Sequence, residues 1–377
     1  MHAFVAVLLV AVGVAATLVV LDAAVRTFVV PRGTVVLFTV VVFLVIRRVF
    51  NLFASPRRSY EARDRVMAFY APVALLALPF FSMLVVFGGF ACVFAGIEDL
   101  GWRSAFMTSG SSLLTLGFER PPDLPAAFAA FSEATMGLAL LALLIAYLPT
   151  IYNTFSRREV AVTDLAIRAG TPPTPRDMLV RAHLTGFLYE MDSFWIAWMA
   201  WFTEVQETHT SYGSLSFFRS PNPHRSWVTA AGAVLDTAAV RLAVLDIPFT
   251  PSAPLCIRSG YLALREVAGF YGFDYDDSPA PDDPISVARD EFDEVYNRLA
   301  AAGLPMVPDR DQAWRDFVGW RVNYDQSLHA LAALIIAPYA PWISDRSPRV
   351  ATRRYELGRR RRAMARRSAT GPRKEPR

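Results

Sequence analysis

Between two long apolar segments, Met67 to Gly96 and Ala126 to Tyr152, lies the stretch Ser104 to Pro122, SAFMTSGSSLLTLGFERPP. It is too short and too hydroxyl-rich to be a spanning helix, yet both flanks are apolar enough to span. Non-helical backbone at membrane depth survives only where protein buries it or where it lines an aqueous cavity. The stretch therefore reads as a re-entrant loop and predicts a pore. A short helix over about Ser104 to Leu114 hands over to an extended Thr115-Leu116-Gly117-Phe118, whose carbonyls can replace the hydration shell of an ion. The C-terminal end of that helix carries the negative partial charge and points toward the cation path.

Composition allows this reading because the apolar residues are unevenly placed. Of 377 residues 54% are hydrophobic, and they crowd before about residue 155, which predicts a membrane domain followed by a more polar one. The net charge of +4 divides into about +2 for residues 1–155, about −8 for 156–348 and about +10 for 349–377. Two cysteines, Cys92 and Cys256, exclude a disulfide framework, and no Cys/His metal spacing occurs. The single lysine, Lys374, against 37 arginines reflects coding bias.

Ala3 to Leu21 is about 19 apolar residues without a charge, close to the ~20 that cross a hydrocarbon core. A cleaved signal peptide fits less well, since a basic n-region is missing and the run is longer than a usual h-region. Asp22, Arg26, Pro31, Arg32 and Gly33 mark a tight connection, and Thr34 to Ile46 forms a second, short helix that tilts or extends toward Phe53. The loop from Arg47 to Arg65 holds six arginines and is cytoplasmic by the positive-inside tendency. Met67 to Gly96 then runs outward, Glu98 and Asp99 lie outside, and the helix from Ala126 returns to Arg157-Arg158 inside. No helix carries arginine at every third position, so a voltage sensor is not indicated.

Ser109-x-x-Ser112-x-x-Thr115-Leu116-Gly117-Phe118 resembles the pore helix and filter of the tetrameric potassium-channel superfamily, whose signature is a Thr-Val-Gly-Tyr-Gly loop before an Asp. Glu133, Gly137 and the Ala/Leu/Ile-rich run after them are similar to the inner helix of bacterial and two-pore-type channels. The likeness covers about Ala71 to Ser156. It implies an ion-conduction filter of Thr115, Leu116, Gly117, Phe118 and Glu119, a pore helix bearing Ser109 and Ser112, and an inner helix with Gly137 as hinge. It also implies a homotetramer around a central pore, with no cofactor beyond the permeating monovalent cation, potassium. Glu133 either holds the inner helix to the pore helix, through Ser111 or Thr108 for instance, or sits near the outer interface.

Three positions depart from the family pattern. Glu119 replaces the second filter glycine, Arg120 the acidic residue, and Leu114 a threonine. A glutamate is strained where the backbone requires left-handed dihedrals. Either Glu119 forms a ring of four carboxylates that weakens potassium selectivity, or it pairs with Arg120 in a pore that no longer conducts.

Glu159 to Gly170 continues the inner helix as far as the Pro-rich linker at Thr171 to Pro175. From Arg176 to Glu207 the chain is helical, with Phe194, Trp198 and Trp201 or Phe202 on one face, which predicts burial in a helical core ahead of an interfacial role. Further helices are expected at Trp227 to Leu245, Leu255 to Tyr271, Pro284 to Ala302 and Asp311 to Val318, and a core helix at Leu328 to Ile336. Strand signals are nearly absent. No Gly-x-Gly-x-x-Gly fingerprint or nucleophile motif occurs, so neither nucleotide gating nor an enzyme is indicated. The acidic loop Asp274 to Asp283 has the spacing of a solvated turn, not of an EF-hand. Glu204, Glu207 and His209 read as an exposed helix C-terminus. Arg359, Arg360, Arg361 and Arg362 in the tail suit anionic lipid, while simple disorder explains them equally.

The expectation is an all-α membrane protein with four transmembrane helices and a re-entrant pore loop, followed by an α-helical cytosolic domain. Its parts are a transmembrane hairpin and basic loop (1–65), a pore module (66–156), a helical cytosolic domain (157–348) and a basic tail (349–377). Its place is the plasma membrane, multi-pass, among membrane lipids. Its function is the passage of monovalent cations with weak potassium selectivity. A non-conducting membrane-anchored sensor or scaffold on an inherited pore module is the alternative.

Overall fold

A computed structural model of the chain describes residues 2–28, 30, 36–55, 57–97 and 101–346. The expected connection at Pro31, Arg32 and Gly33, the acidic pair Glu98 and Asp99, and the basic tail with Arg359 to Arg362 lie outside the described residues.

The apolar half contains α1 (His2–Phe28), α2 (Leu37–Phe53), α3 (Tyr60–Met67), α4 (Tyr70–Ile97), α5 (Trp102–Leu113) and α6 (Leu124–Ala169). Local chemistry sets their ends. Asp123 accepts the Ala126 amide at 2.9 Å to start α6, and Gly170, at φ 84°, ends it where a side chain would be strained. α6 runs unbroken through Arg157 and Arg158, so the helix continues beyond its apolar segment as the sequence predicts.

Antiparallel packing of α1 on α4 depends on glycine. Gly96 faces the Ala6 carbonyl and Gly89 faces Gly13, and a Cβ on either would lie inside van der Waals contact of the opposite backbone. Small residues let two helices approach closely where no hydrophobic gain is available from excluding lipid. Tyr70 joins α2 to α4, donating to the Phe43 carbonyl at 3.3 Å and meeting the Phe43 and Phe50 rings edge-on.

The polar half consists of α7 (Pro175–Leu184), α8 (Asp192–Ser211), α9 (Trp227–Val244), α10 (Ser252–Phe270), α11 (Arg289–Ala301), α12 (Arg310–Arg321) and α13 (Asp325–Ile335). Among the described residues the only bridge-like pairing is the isolated Leu245–Met306 contact. α9 is the axis of this half. Every side chain on it except Leu242 is buried, against α7, α10, α12 and α13. The Trp-bearing face of α8 is buried in the same core, as its spacing predicts.

Four helices are long and apolar enough to cross a membrane: Phe4–Thr27, Tyr60–Ile97, Leu124–Ala169 and Trp227–Val244. They mark a membrane protein. Three coincide with spans expected from the sequence. The remaining expected span corresponds to α2, whose 17 residues cover about 26 Å at 1.5 Å per residue, short of a ~30 Å hydrocarbon core. The fourth apolar helix is instead α9, which is covered by the chain itself and carries Asp236 at its centre, ion-paired to Arg321.

Gly88 and Gly89 provide a matched test of the α1–α4 contact, because nothing lies within 4 Å of a Cβ at Gly88. Gly89→Leu is expected to cost about 1–3 kcal/mol through overpacking. Gly88→Leu should stay within about 0.5 kcal/mol. Thermal unfolding of both variants in detergent measures the difference.

Candidate functional site

The stretch singled out by the sequence folds as a helix and a loop held between α4 and α6. α5 begins two residues before the expected start and ends one before the expected stop. Ser109, fully buried, is its anchor. The Ser109 hydroxyl lies 2.9 Å from the Phe87 carbonyl of α4 and 2.6 Å from Glu133 Oε1 of α6, so three helices meet at one oxygen. Glu133 is buried and does bind the pore-helix candidate, through Ser109 in place of the expected Ser111 or Thr108. Ser112 turns back to the Thr108 carbonyl of its own helix. Gly137 lies against the last turn of α5, where a Cβ would come within 2.6 Å of the Leu113 carbonyl. α6 is continuous there, so this glycine supplies close approach.

After α5 the chain takes an unusual course. Leu114 has φ −87°, Thr115 φ 53° and Gly117 φ 70°, whereas Leu116, Phe118 and Glu119 are not left-handed. The positive φ expected at the second glycine position falls on Thr115, and Glu119 escapes that strain. In a strand, successive carbonyls alternate sides; alternating the handedness of successive residues breaks that rule and gathers amides on one side. The hydrogen bonds show this segregation. The Leu116 and Gly117 amides bond the Ser111 carbonyl at 2.8 and 3.4 Å, and the Glu119 amide bonds the Ser111 hydroxyl at 3.1 Å. Among the described hydrogen bonds, none is accepted by the carbonyls of Thr115, Leu116, Gly117 or Phe118. The loop from Leu114 to Arg120 is exposed, and no described ion pair joins Glu119 to Arg120.

α6 also has an exposed strip of its own. Ser132, Thr135, Ala139, Ala142 and Ala146 recur at three- and four-residue intervals, with Asn153 seven further on, all exposed and all small or polar. Pro149 lies in this stretch and offers no amide to the carbonyl of Ile145, leaving the helix ladder one bond short.

At the far end of α6 the sequence's pair of basic stops separates into two roles. Arg157 is exposed and pairs with Glu204 at 3.1 Å. Arg158 is buried. Its guanidinium donates to Glu159, to the carbonyls of Leu215 and Phe218 at 2.8 Å each, and to His209 Nε2 at 3.1 Å. An arginine can only donate, so His209 accepts through Nε2 in its neutral form. Burial, with the Arg158 charge beside it, holds His209 well below the usual histidine range. His209 is therefore a buried partner of α6, which corrects its reading as part of an exposed helix end. The segment it introduces, Tyr212 to Phe218, wedges between α4 and α6: Leu215 and Phe218 cluster with Ala71, Leu75, Tyr147 and Ile151. Tyr147, Ile151, Thr154 and Arg158 share one buried stripe at helical spacing, and that periodicity was the available sign that Arg158 turns inward.

A second polar cluster has catalytic residue types but a different geometry. Ser286 Oγ lies 2.6 Å from His329 Nε2, and Asp325 approaches the same nitrogen at 3.5 Å, while Nδ1 has no partner among the described residues. A catalytic triad places the carboxylate and the hydroxyl on opposite ring nitrogens. Here the group anchors Arg321, which donates to Asp325 and Asp236. Burial opposes charge on Asp325, yet Arg321, His329 and Ser286 hold its carboxyl well below the usual range. In the acidic loop, Asp276 and Asp283 accept the amides of Ser278 and Ala280, as turn residues do.

No protein-family model matches the chain, and neither does any curated protein or solved structure.

The Ser109 hydroxyl has one proton and two acceptors, so a donor at position 133 can replace the shared bond. Glu133→Gln should keep stability within about 0.5 kcal/mol, whereas Glu133→Ala should cost about 1–3 kcal/mol by leaving the buried hydroxyl poorly satisfied. Thermal unfolding of the two variants side by side checks this.

Proposed function

We propose that the chain is one subunit of a potassium-channel-like cation pore. The observation that carries this reading is the separation of amides from carbonyls at Thr115 to Phe118. The amides of Leu116, Gly117 and Glu119 are committed to Ser111, and four successive carbonyls remain unaccepted on an exposed strip. At membrane depth such carbonyls need water or an ion. A cation satisfies them as a ring of dipoles.

One loop cannot surround an ion, so four chains about a central axis are required. The exposed strip of small and hydroxyl residues on α6 supports the same axis, because close packing of four such helices about a centre needs small residues there. The apolar spans support a membrane location, and in this reading α5 and its loop are the re-entrant element of a plasma-membrane pore. Arg47 to Arg65 and Arg157-Arg158 favour a cytoplasmic position for the α7–α13 unit. Glu119, exposed and outside any described ion pair, would add a ring of carboxylates at the outer mouth and favour monovalent cations over strict potassium selection. The reading assigns no catalytic step to the chain.

Rubidium uptake into proteoliposomes is the direct test. Wild type should transport, and Gly117→Ala, which forces a side chain onto φ 70°, should reduce uptake about tenfold or more. Absence of monovalent flux in a correctly assembled tetramer would overturn the proposal in favour of a non-conducting anchor.

The outer positions make a separate prediction. Glu119→Gly with Arg120→Asp restores the family pattern and should raise the potassium-to-sodium permeability ratio, measured as a reversal potential in planar bilayers. An unchanged ratio would show that the second carbonyl ring is not formed at this position.

A further inference from the structure

Where α6 leaves its apolar segment, a half-open cavity of about 230 Å³ separates it from α8 and the turn before α8. Four aromatic rings line it, those of Phe187, Phe194, Trp198 and Trp201, and one carboxylate, Asp164, stands among them. The last three rings follow one another along α8, with Trp198 and Trp201 centroids 4.6 Å apart and inclined at 60°, so they form a corner. The cavity has a resident charge. The Arg168 guanidinium lies 5.4 Å from the Phe187 centroid and 5.9 Å from that of Phe194, and its Nε is 3.1 Å from Asp164 Oδ2.

We propose that this cavity is a binding site for a small organic cation of the quaternary-ammonium or guanidinium class, held closed by the chain's own Arg168. Aromatic faces attract a cation through their quadrupole, and several faces with a carboxylate form a cage selective for such ions. Arg168 demonstrates the complementarity by occupying two of the faces. Its hold is weak, because both it and Asp164 are about half exposed and an exposed i,i+4 pair contributes little. An incoming cation that takes Asp164 and the rings leaves Arg168 free to turn into solvent, where its charge is fully hydrated.

The location makes the site regulatory as well. α6 carries Asp164 and Arg168 and continues without a break into the strip below the loop. α8 carries three of the rings and ends at His209 and the wedge between α4 and α6. A cation seated between the two helices acts on both attachments of the pore. This regulatory part rests on the pore reading; the binding part does not.

The test is calorimetric titration of tetramethylammonium chloride into the full-length protein in detergent. Saturable binding is expected. Arg168→Ala should tighten it about tenfold by removing the competitor, and Asp164→Asn should weaken it about tenfold. Both positions are exposed, so neither change threatens folding. No saturable heat in wild type and Arg168→Ala, or equal affinities across the three proteins, would overturn the site. Rubidium uptake with and without tetramethylammonium tests regulation. An effect that Asp164→Asn shifts to higher concentration supports it, and an effect indifferent to Asp164 is plain block within the pore and refutes it. Absence of uptake in every preparation refutes the pore and with it the regulatory part, while the calorimetry still decides the binding site.

Discussion

A buried guanidinium, that of Arg158, is one of the polar links between the two halves of this protein; Arg219, which donates to Asp64 and to the Ile335 carbonyl, is another. Arg158 is placed inside the chain, and the cost of removing such a charge from water is met only because a carboxylate, two carbonyls and a neutral imidazole converge on it. Those partners come from α6, α8 and the Tyr212 to Phe218 wedge, so the bond set fixes how the C-terminal helices meet the apolar ones. The aromatic wedge could otherwise slide, since ring contacts such as Tyr152–Phe218 and Tyr70–Phe217 tolerate displacement. Hydrogen bonds to a fixed fork do not.

The same principle organises the other end of α6. The Ser109 hydroxyl, the Phe87 carbonyl and Glu133 form a polar point contact within an apolar core of Val86, Phe90, Phe94 and Leu140. Dispersion packing would permit several rotations of α5 against α6. The shared hydroxyl selects one, and Gly137 lets the helices close to that distance. The position of the loop therefore follows from two residues on α6 outside the loop itself.

Much of this was legible in the sequence. Apolar runs and their breaks gave most of the helices within a few residues, and the stripe of Phe194, Trp198 and Phe202 gave the buried face of α8. The single helix expected over Arg176 to Glu207, however, is divided into α7 and α8 by a turn at Gly186, whose φ is 75°. Partners were less accessible. A residue on a helix turns about 100° from its neighbour, so Thr108, Ser109 and Ser111 all remain candidates for Glu133 until the third helix, with Phe87, is in place. Hydropathy also ranks α2 and α9 by the same measure and cannot tell lipid from protein as the apolar surroundings of a helix. The cover of α9 by its own half and the Asp236–Arg321 pair, both supplied by distant segments, distinguish α9. Thr115 is the plainest case: its left-handed backbone is imposed by the bonds to Ser111 and has no signature in residue type.

The length of α6 has a mechanical consequence. Forty-six residues at 1.5 Å each make a rod of about 69 Å, more than twice the thickness of a hydrocarbon core. Pinned near one fifth of its length at Glu133 and again near three quarters at Arg158, such a rod is a lever with two fulcra. Between them, at Pro149, it lacks one of the bonds that stiffen it. A tilt of about 5° at the outer fulcrum, propagated along some 40 Å, becomes a displacement of about 3–4 Å at the far end. Motion too small to disturb the packing around Ser109 is thus comparable to the diameter of a water molecule by the time it reaches the other half of the chain.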